Sequence, residues 1–282
     1  MKITLGQNAY GKNAVNLTRI TRHNDYNEIK QISVNIAFEG EFESAHTTGD
    51  NTRILPTDTM KNTVYALAKD RYTSSIEEYG IDLAHHFLSN NPQVTEVRIE
   101  ISEHLWNRLE FDGKHHQYAF ISGGFEKHTA QVIHSKKNTA VSSGIKDLLI
   151  LKTYNSAFEK YIKDQFTTLK ETDDRIMSTQ CEVSWLYTTN KLDYTSVFNK
   201  VRAVLLETFA GHKSLSVQHT LYAMGENVLK EIKEVKNISF VMPNKHHILF
   251  NLEQFGMDNN NEIFIATDEP YGMIRGTVTR EE

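Results

Sequence analysis

Stretches with the period of a strand and stretches with the period of a helix follow one another along the chain. Apolar and polar residues alternate over 14–23 and again over 29–46, as in half-buried strands. Turn-forming residues 23–27 join these stretches into a predicted antiparallel hairpin. The remaining elements predicted for the first half are a helix marked by Met60, Val64 and Leu67, a helix marked by Ile76, Tyr79, Leu83 and Phe87, and strands over 94–101 and 117–134.

The second half repeats this β-β-α-α-β-β order. Its predicted elements are strands over 140–153 and 180–189, helices over 194–209 and 217–228, and strands over 235–248 and 262–279. The repeat predicts an α+β fold of two tandem modules, residues 1–137 and 138–282, each an antiparallel sheet with helices on one face. Since open sheet edges are usually covered by another chain, we also predict assembly into an oligomeric barrel.

Composition narrows the class of protein. Of 282 residues, 39% are hydrophobic and 24% charged, which is typical of a globular protein. The net charge of −5 gives no basic footprint for nucleic acid, and no apolar run is long enough for a membrane span. The chain shows neither a secretory leader nor a peroxisomal Ser-Lys-Leu ending, so we predict a cytoplasmic protein. The single cysteine, Cys181, excludes an intramolecular disulfide and is predicted to be a buried strand residue.

The candidate chemistry begins where a strand-like run stops at Pro56 and a helix starts. Thr57 or Asp58 could cap the first helical turn, or Thr57 could present its hydroxyl to a substrate. Three other polar sites also have ordinary explanations. Arg175 could pair with Asp173 or Asp174, Gln218 could cap a helix, and a turn could explain Asn244 and His246 after Pro243.

Several common site types are absent from the sequence. It has no dinucleotide-binding Gly-x-Gly-x-x-Gly, Walker loop or Gly-x-Ser-x-Gly elbow. Gly123-Gly124 lies inside a predicted strand, where a bulge explains it. Six of the 13 histidines form adjacent pairs, His85-His86, His115-His116 and His246-His247, and these pairs lack the spacing of a metal site. A histidine-only site assembled across the fold stays open.

Taken together, the polar blocks resemble those of the urate oxidase (uricase) family, in order and over nearly the whole chain. The resemblance is to bacterial members in particular. The blocks are Tyr10-Gly11-Lys12, Ala45 to Asn51, Thr57-Asp58-Thr59-Met60-Lys61-Asn62, Phe166 to Thr172, Ser216-Val217-Gln218 and Pro243-Asn244-Lys245-His246.

The resemblance implies two tunnelling-fold modules per chain, a homotetrameric barrel and active sites at subunit interfaces. It implies oxidation of urate by dioxygen and water to 5-hydroxyisourate and hydrogen peroxide, in purine degradation, with neither metal nor organic cofactor. The implied catalytic residues are Lys12, Thr57 and His246. The implied substrate-binding residues are Thr57 and Asp58 from one chain, and Phe158, Leu169, Arg175, Val217, Gln218 and Asn244 from its neighbour.

These residue types suit a flat anion. A guanidinium makes forked, charge-assisted contacts, so Arg175 can hold urate where a lysine could not. Gln218 offers a donor and an acceptor side by side, Phe158 can stack on the purine, and Val217 and Leu169 supply apolar walls.

The catalytic residues implied by the resemblance form a relay. Thr57 would pass protons between the amine of Lys12 and the imidazole of His246. Asn244 would hold dioxygen or water above the ring.

Two rival interpretations remain. A pterin or purine cyclohydrolase or synthase would share the fold but need a zinc site. A non-catalytic purine-binding protein would keep the binding residues and show no turnover.

Overall fold

A computed structural model of the chain describes residues 1–72 and 74–281. Over these residues the strands are β1 (Tyr10–Arg22), β2 (Asn27–Gly40), β3 (Val94–Phe111), β4 (Lys114–Ser135), β5 (Thr139–Lys152), β6 (Met177–Tyr187), β7 (Val235–Leu249) and β8 (Phe264–Thr279). The helices are α1 (Glu43–Thr47), α2 (Thr57–Arg71), α3 (Ile76–Asn90), α4 (Tyr194–Gly211), α5 (Val217–Glu231) and a 3-10 turn, Glu253–Phe255. Among them, no helix is both long and apolar enough to cross a membrane.

The chain divides into two compact units. The first comprises Met1–Gly144 and Leu186–Val197, and the second comprises Ile145–Trp185 and the residues from Phe198 onward. Each strand is hydrogen-bonded to the strands next to it in the chain, and the registers of β1 to β4 and of β7 with β8 are antiparallel. Antiparallel sheet with few helices confirms the predicted α+β class. The division into modules at 137/138, the tunnelling fold and the barrel stay predictions.

The core of the first unit comes from strand alternation and helical periodicity. On β2, Ile32, Val34, Ile36 and Phe38 are buried at every second position, because successive strand residues point to opposite faces. The helices α2 and α3 cover this sheet with apolar residues that include the predicted Met60, Val64, Tyr79, Leu83 and Phe87. Ser75 and Glu78 form a capping box at the start of α3.

The second unit has its own core. The buried face of α5 carries Val217, Leu221, Met224 and Val228, at the helical spacing that the sequence predicted, and α5 packs on β7 and β8. Cys181 is buried in β6, where burial raises the pKa of its thiol to about 12. A thiol held protonated in this way is unreactive, which confirms the predicted structural cysteine.

Three local predictions need correction and one is confirmed. The strand predicted over 29–46 ends at Gly40, where a Cβ would lie 2.3 Å from the Gln93 carbonyl oxygen, and α1 follows. The run before Pro56 is not a strand, and β3 extends to Phe111 rather than Ile101. The predicted bulge at Gly123-Gly124 is confirmed by the register shift opposite β3 and by a φ of +99° at Gly124.

Candidate functional site

In the first unit, β1 lies against the segment that leads into α2. Gly11 allows β1 to approach β2 closely, since a Cβ there would lie 1.7 Å from the Ile36 carbonyl oxygen on β2. The Tyr10 hydroxyl accepts a hydrogen bond of 2.9 Å from the Leu55 amide, two residues before Thr57. Burial raises the pKa of Tyr10, which keeps this hydroxyl protonated. The Tyr10-Gly11-Lys12 block thus ties the strand that carries Lys12 to the start of the helix that carries Thr57.

Asp58 is bound by its own helix. Its carboxylate accepts hydrogen bonds from Lys61 Nζ at 2.5 Å and from Asn62 Nδ2 at 3.0 Å, which explains the spacing Thr-Asp-x-x-Lys-Asn. The hydrogen bond and charge of Lys61 hold the pKa of Asp58 below its usual range, and the charge of Lys12 adds to this effect. Lys12 therefore lies in the neighbourhood of Asp58.

The capping explanation of this junction is wrong. The residue before the first helical turn is Pro56, and no side chain caps the helix there. The Thr57 hydroxyl is therefore not used as a helix cap, and Thr57 itself is half-buried at the start of α2.

In the second unit, Arg175 lies against Phe158. The Arg175 guanidinium carbon is 5.2 Å from the centre of the Phe158 ring, close enough for a cation–π contact. Phe158 pairs with Thr172 through backbone hydrogen bonds of 2.8 and 3.2 Å, and its ring stacks on Tyr161.

The salt bridge considered for Arg175 is not formed within the described ranges. The Asp174 carboxylate instead accepts from the backbone amides of Asn155 and Ser156. Arg175 Nε is buried and lacks a hydrogen-bond partner among these residues, and burial lowers the pKa of the guanidinium. A half-buried cation that has no carboxylate partner among these residues favours an anionic ligand.

Arg175, Leu169 and His246 line one cleft of about 750 Å³ in the second unit. Pockets of this size commonly hold small molecules. The Leu169 side chain is 60% exposed, which leaves an apolar wall open to a ligand.

Asn244 and His246 lie two residues apart on β7. The turn proposed for them is wrong, because β7 continues to Leu249. A register shift against β8 falls between them, and Asn244 Nδ2 lies 3.5 Å from His246 Nδ1. Lys245 between them instead binds Asp268 at 2.8 Å.

Val217 and Gln218 begin α5. Ser216 caps this helix by accepting a hydrogen bond of 3.1 Å from the His219 amide, so the capping explanation for Gln218 is also wrong. Val217 is 3% exposed, whereas Gln218 is exposed and its amide is not used as a cap.

The structure thus groups the predicted site residues in two sets. Lys12, Thr57 and Asp58 belong to the first unit, and all others belong to the second. Sequence reasoning missed the supporting role of Tyr10, Asp174 and Ser216, although Tyr10 and Ser216 lie inside recognised blocks and Asp174 precedes Arg175. No sequence signal revealed the hydrogen bonds that join segments far apart in the chain.

An α+β fold with a cleft lined by an imidazole and by a half-buried guanidinium that has no ion-pair partner within the described ranges is typical of an enzyme-like binder of small anions. Comparison with known proteins narrows this class. The sequence profile of the uricase family matches residues 8–133 and 141–275. The chain is 41% identical over 280 residues to uricase of Arthrobacter globiformis, which covers 99% of this chain and 91% of that protein. It is 37% identical to uricase of Dictyostelium discoideum, with 98% of both chains covered.

The crystal structure of Arthrobacter globiformis uricase superposes on this chain with a TM-score of 0.95 at 40% identity, covering 100% of this chain and 96% of that one. The chain belongs to the uricase family. It is therefore an oxidoreductase that acts on urate, as the sequence predicted.

Proposed function

We propose that this chain oxidises urate with dioxygen and water to 5-hydroxyisourate and hydrogen peroxide, as a cytoplasmic step of purine degradation. Urate loses two electrons, dioxygen gains two electrons and two protons to become hydrogen peroxide, and water supplies the new hydroxyl group. We further propose that neither metal nor organic cofactor takes part. The observation that carries the proposal is Arg175, which lines the cleft and whose buried Nε has no hydrogen-bond partner among the described residues.

Arg175 holds the urate anion in this proposal. Its fork can bind two adjacent acceptors of the purine edge, while Gln218 offers a donor and an acceptor to another edge. Phe158 stacks on the purine ring, and Leu169 and Val217 form apolar walls beside it. Asp58, which belongs to the first-unit set, contacts a polar group on the edge of the purine. The cation–π contact between Arg175 and Phe158 supports this grouping, since it places the charge contact beside the stacking surface.

Proton transfer falls to Lys12, Thr57 and His246. Urate must lose a proton before it becomes electron-rich enough to reduce dioxygen, and a hydroxyl between an amine and an imidazole can pass that proton. The Thr57 hydroxyl is not used as a helix cap, and Lys12 lies near Asp58, the residue after Thr57. Both observations support the first half of this relay, from Lys12 to Thr57. The short separation of Asn244 and His246 supports a place for dioxygen or water beside the imidazole.

We propose that each active site is shared between two protomers of a homotetramer. One protomer supplies Lys12, Thr57 and Asp58, and its neighbour supplies the second-unit set. Support comes from polar groups on both sides. The Thr57 hydroxyl and the Gln218 amide do not cap their helices, and Arg175 Nε has no hydrogen-bond partner in the part of the chain that the structure describes.

Mixing two inactive variants tests the shared site. Thr57→Ala and Arg175→Ala should each lose most urate turnover. Co-expressed chains that assemble at random should regain about a quarter of the wild-type turnover, because that share of interface sites combines two intact halves. Thr59→Ala, an exposed neighbour on the same helical turn, is the matched control and should stay active. A mixture as inactive as the single variants would refute the shared site.

A further inference from the structure

Three ligand-contacting segments of the proposed site come from distant parts of the second unit. Phe158 and Arg175 lie in the stretch between β5 and β6, which is built from turns and isolated bridges, and Gln218 lies at the start of α5. Segments without regular secondary structure usually move more than helices and strands. A site made from them needs an additional constraint to hold a rigid purine.

Asp174 ties the Arg175 segment to the segment that precedes Phe158. Its Oδ1 accepts hydrogen bonds from the Asn155 amide at 2.8 Å and from the Ser156 amide at 3.4 Å. Asn155 has a φ of +67°, a conformation that needs support from its surroundings. The Thr172 hydroxyl donates to the Asp174 carbonyl oxygen at 2.5 Å, which fixes the backbone immediately before Arg175.

Ser214 ties the same segment to the start of α5. Its amide donates to the Asn155 carbonyl oxygen at 3.1 Å, and its carbonyl oxygen accepts from the Ala157 amide at 2.7 Å. The Ser214 hydroxyl donates to the Ser216 carbonyl oxygen at 3.0 Å and accepts from the Thr220 hydroxyl at 2.8 Å. Ser214 and Thr220 are fully buried, so water does not compete for these bonds.

From this connectivity we infer that Asp174, Ser214 and Thr220, here called the positioning network, hold Arg175, Phe158 and Gln218 in register for urate. Asp174 lines the same cleft as Arg175, but in this proposal the three residues act on the ligand only by positioning other residues. They act through the backbone of residues 155–157, which carries Phe158, and through Ser216, which caps the helix that carries Gln218. The inference rests on the proposed function of those three binding residues.

The role of Asp174 depends on a hydrogen-bond acceptor and not on charge. Both contacts of its carboxylate are backbone amides that reach one oxygen, Oδ1, and no ion pair joins it to Arg175 among the described residues. Asparagine keeps an acceptor oxygen at the same position, whereas alanine leaves two amides without their partner.

The first test compares Asp174→Asn with Asp174→Ala in the full-length enzyme. Asp174→Ala should raise the KM for urate about tenfold with a smaller change in kcat. The reason is that the substitution displaces the binding residues more than the residues of the proton relay. Asp174→Asn should keep KM within about threefold of the wild type. Equal losses in both variants, or an unchanged KM in Asp174→Ala, would overturn the role of Asp174.

A second pair of variants, at Thr220, tests the positioning network if Asp174→Ala fails to fold. Thr220→Val keeps the shape of the side chain but removes the donor to Ser214, and Thr220→Ser keeps the donor. We expect a raised KM for urate in Thr220→Val and a KM near the wild-type value in Thr220→Ser, at similar melting temperatures. If the two variants have the same KM, the network does not position the site.

Arg175→Ala separates failure of the inference from failure of the proposed function. A wild-type KM in Arg175→Ala would refute the proposed binding site and with it the premise of the network. A raised KM in Arg175→Ala together with wild-type values in Asp174→Ala and Thr220→Val would refute the network alone.

Discussion

A buried charge cluster in the first unit gives a quantitative prediction about stability. Glu77 on α3 is 0% exposed, and its Oε1 accepts hydrogen bonds from His128 Nε2 at 2.8 Å and from the Ser143 hydroxyl. On the other side of the imidazole, His128 Nδ1 lies 3.6 Å from Glu103 Oε2. The Tyr72 hydroxyl donates to Glu103 at 3.3 Å. The perturbation is Glu77→Gln, which keeps the side-chain volume and removes one buried charge.

The expected loss follows from the burial of both partners. Breaking a buried ion pair by removing one partner costs about 3–5 kcal/mol. Burial alone lowers the pKa of His128, but hydrogen bonds and charge attraction from Glu103 and Glu77 outweigh it and raise the pKa to about 9. A rise of this size above the ordinary value corresponds to about 3 kcal/mol of stability. Since glutamine keeps neutral hydrogen bonds, we expect Glu77→Gln to lose about 3 kcal/mol near pH 6.

The pH dependence has a definite sign. A histidine with a raised folded-state pKa contributes fully below its ordinary pKa of 6.5 and loses this contribution as the pH rises through about 9. Burial raises the pKa of Glu77, but bonds from His128 and Ser143 outweigh this effect and lower it. The contribution of Glu77 is therefore present above its ordinary pKa of 4.5 and is lost as the pH falls through its lower folded-state pKa. The cluster should stabilise most between these two ordinary values.

The assay is urea unfolding at about pH 6 and about pH 9, at one protein concentration, followed by circular dichroism. From about pH 6 to about pH 9 the wild type should lose stability, and Glu77→Gln should lose less, because only Glu103 then raises the pKa of His128. The control is Glu110→Gln, which removes an exposed pair with His115 and should change nothing measurable. An equal pH dependence in wild type and Glu77→Gln would refute the reasoning.

Two further predictions concern the site. Gly11→Ala should lower both the melting temperature and urate turnover, because its Cβ would collide with backbone on β2, whereas Gly6→Ala meets no atom within 4 Å and should leave both unchanged; equal melting temperatures would contradict the close approach. Asn244→Ala should reduce turnover by about tenfold or more, while Lys245→Met, next to it but bound to Asp268, should keep turnover within about twofold. Equal losses of turnover for Asn244→Ala and Lys245→Met in a steady-state assay would contradict a specific role of the Asn244 side chain.

Periodicity predicted most of the fold because burial on one face leaves a direct trace in the sequence. The helices α2, α3 and α5 and the strand β6 lie where the spacing of apolar residues predicted them. They carry Met60, Tyr79, Val217 with Met224, and Cys181, respectively. The prediction of a strand through His46 was wrong, because β2 ends at Gly40 and α1 begins at Glu43. The close approach of Gly40 to the Gln93 carbonyl oxygen leaves no periodic signal in the sequence.

The site was predicted by resemblance to a family, and local chemistry alone pointed elsewhere. Capping, a salt bridge and a turn are each good explanations of Thr57, Arg175 and His246 in isolation. The structure assigns capping to Ser216 and leaves the start of α2 without a side-chain cap. Asp174 is engaged with backbone amides instead of with Arg175. These outcomes depend on contacts between segments far apart in the chain, which spacing does not encode.

The most direct test of the central claim follows urate and hydrogen peroxide together, using purified protein that was pretreated with a metal chelator. Cofactor-free oxidation predicts loss of urate with one hydrogen peroxide formed per urate, at the same rate before and after chelation. Loss of activity on chelation, restored by a metal ion, would contradict the cofactor-free chemistry. Urate binding without any turnover would contradict the relay of Lys12, Thr57 and His246.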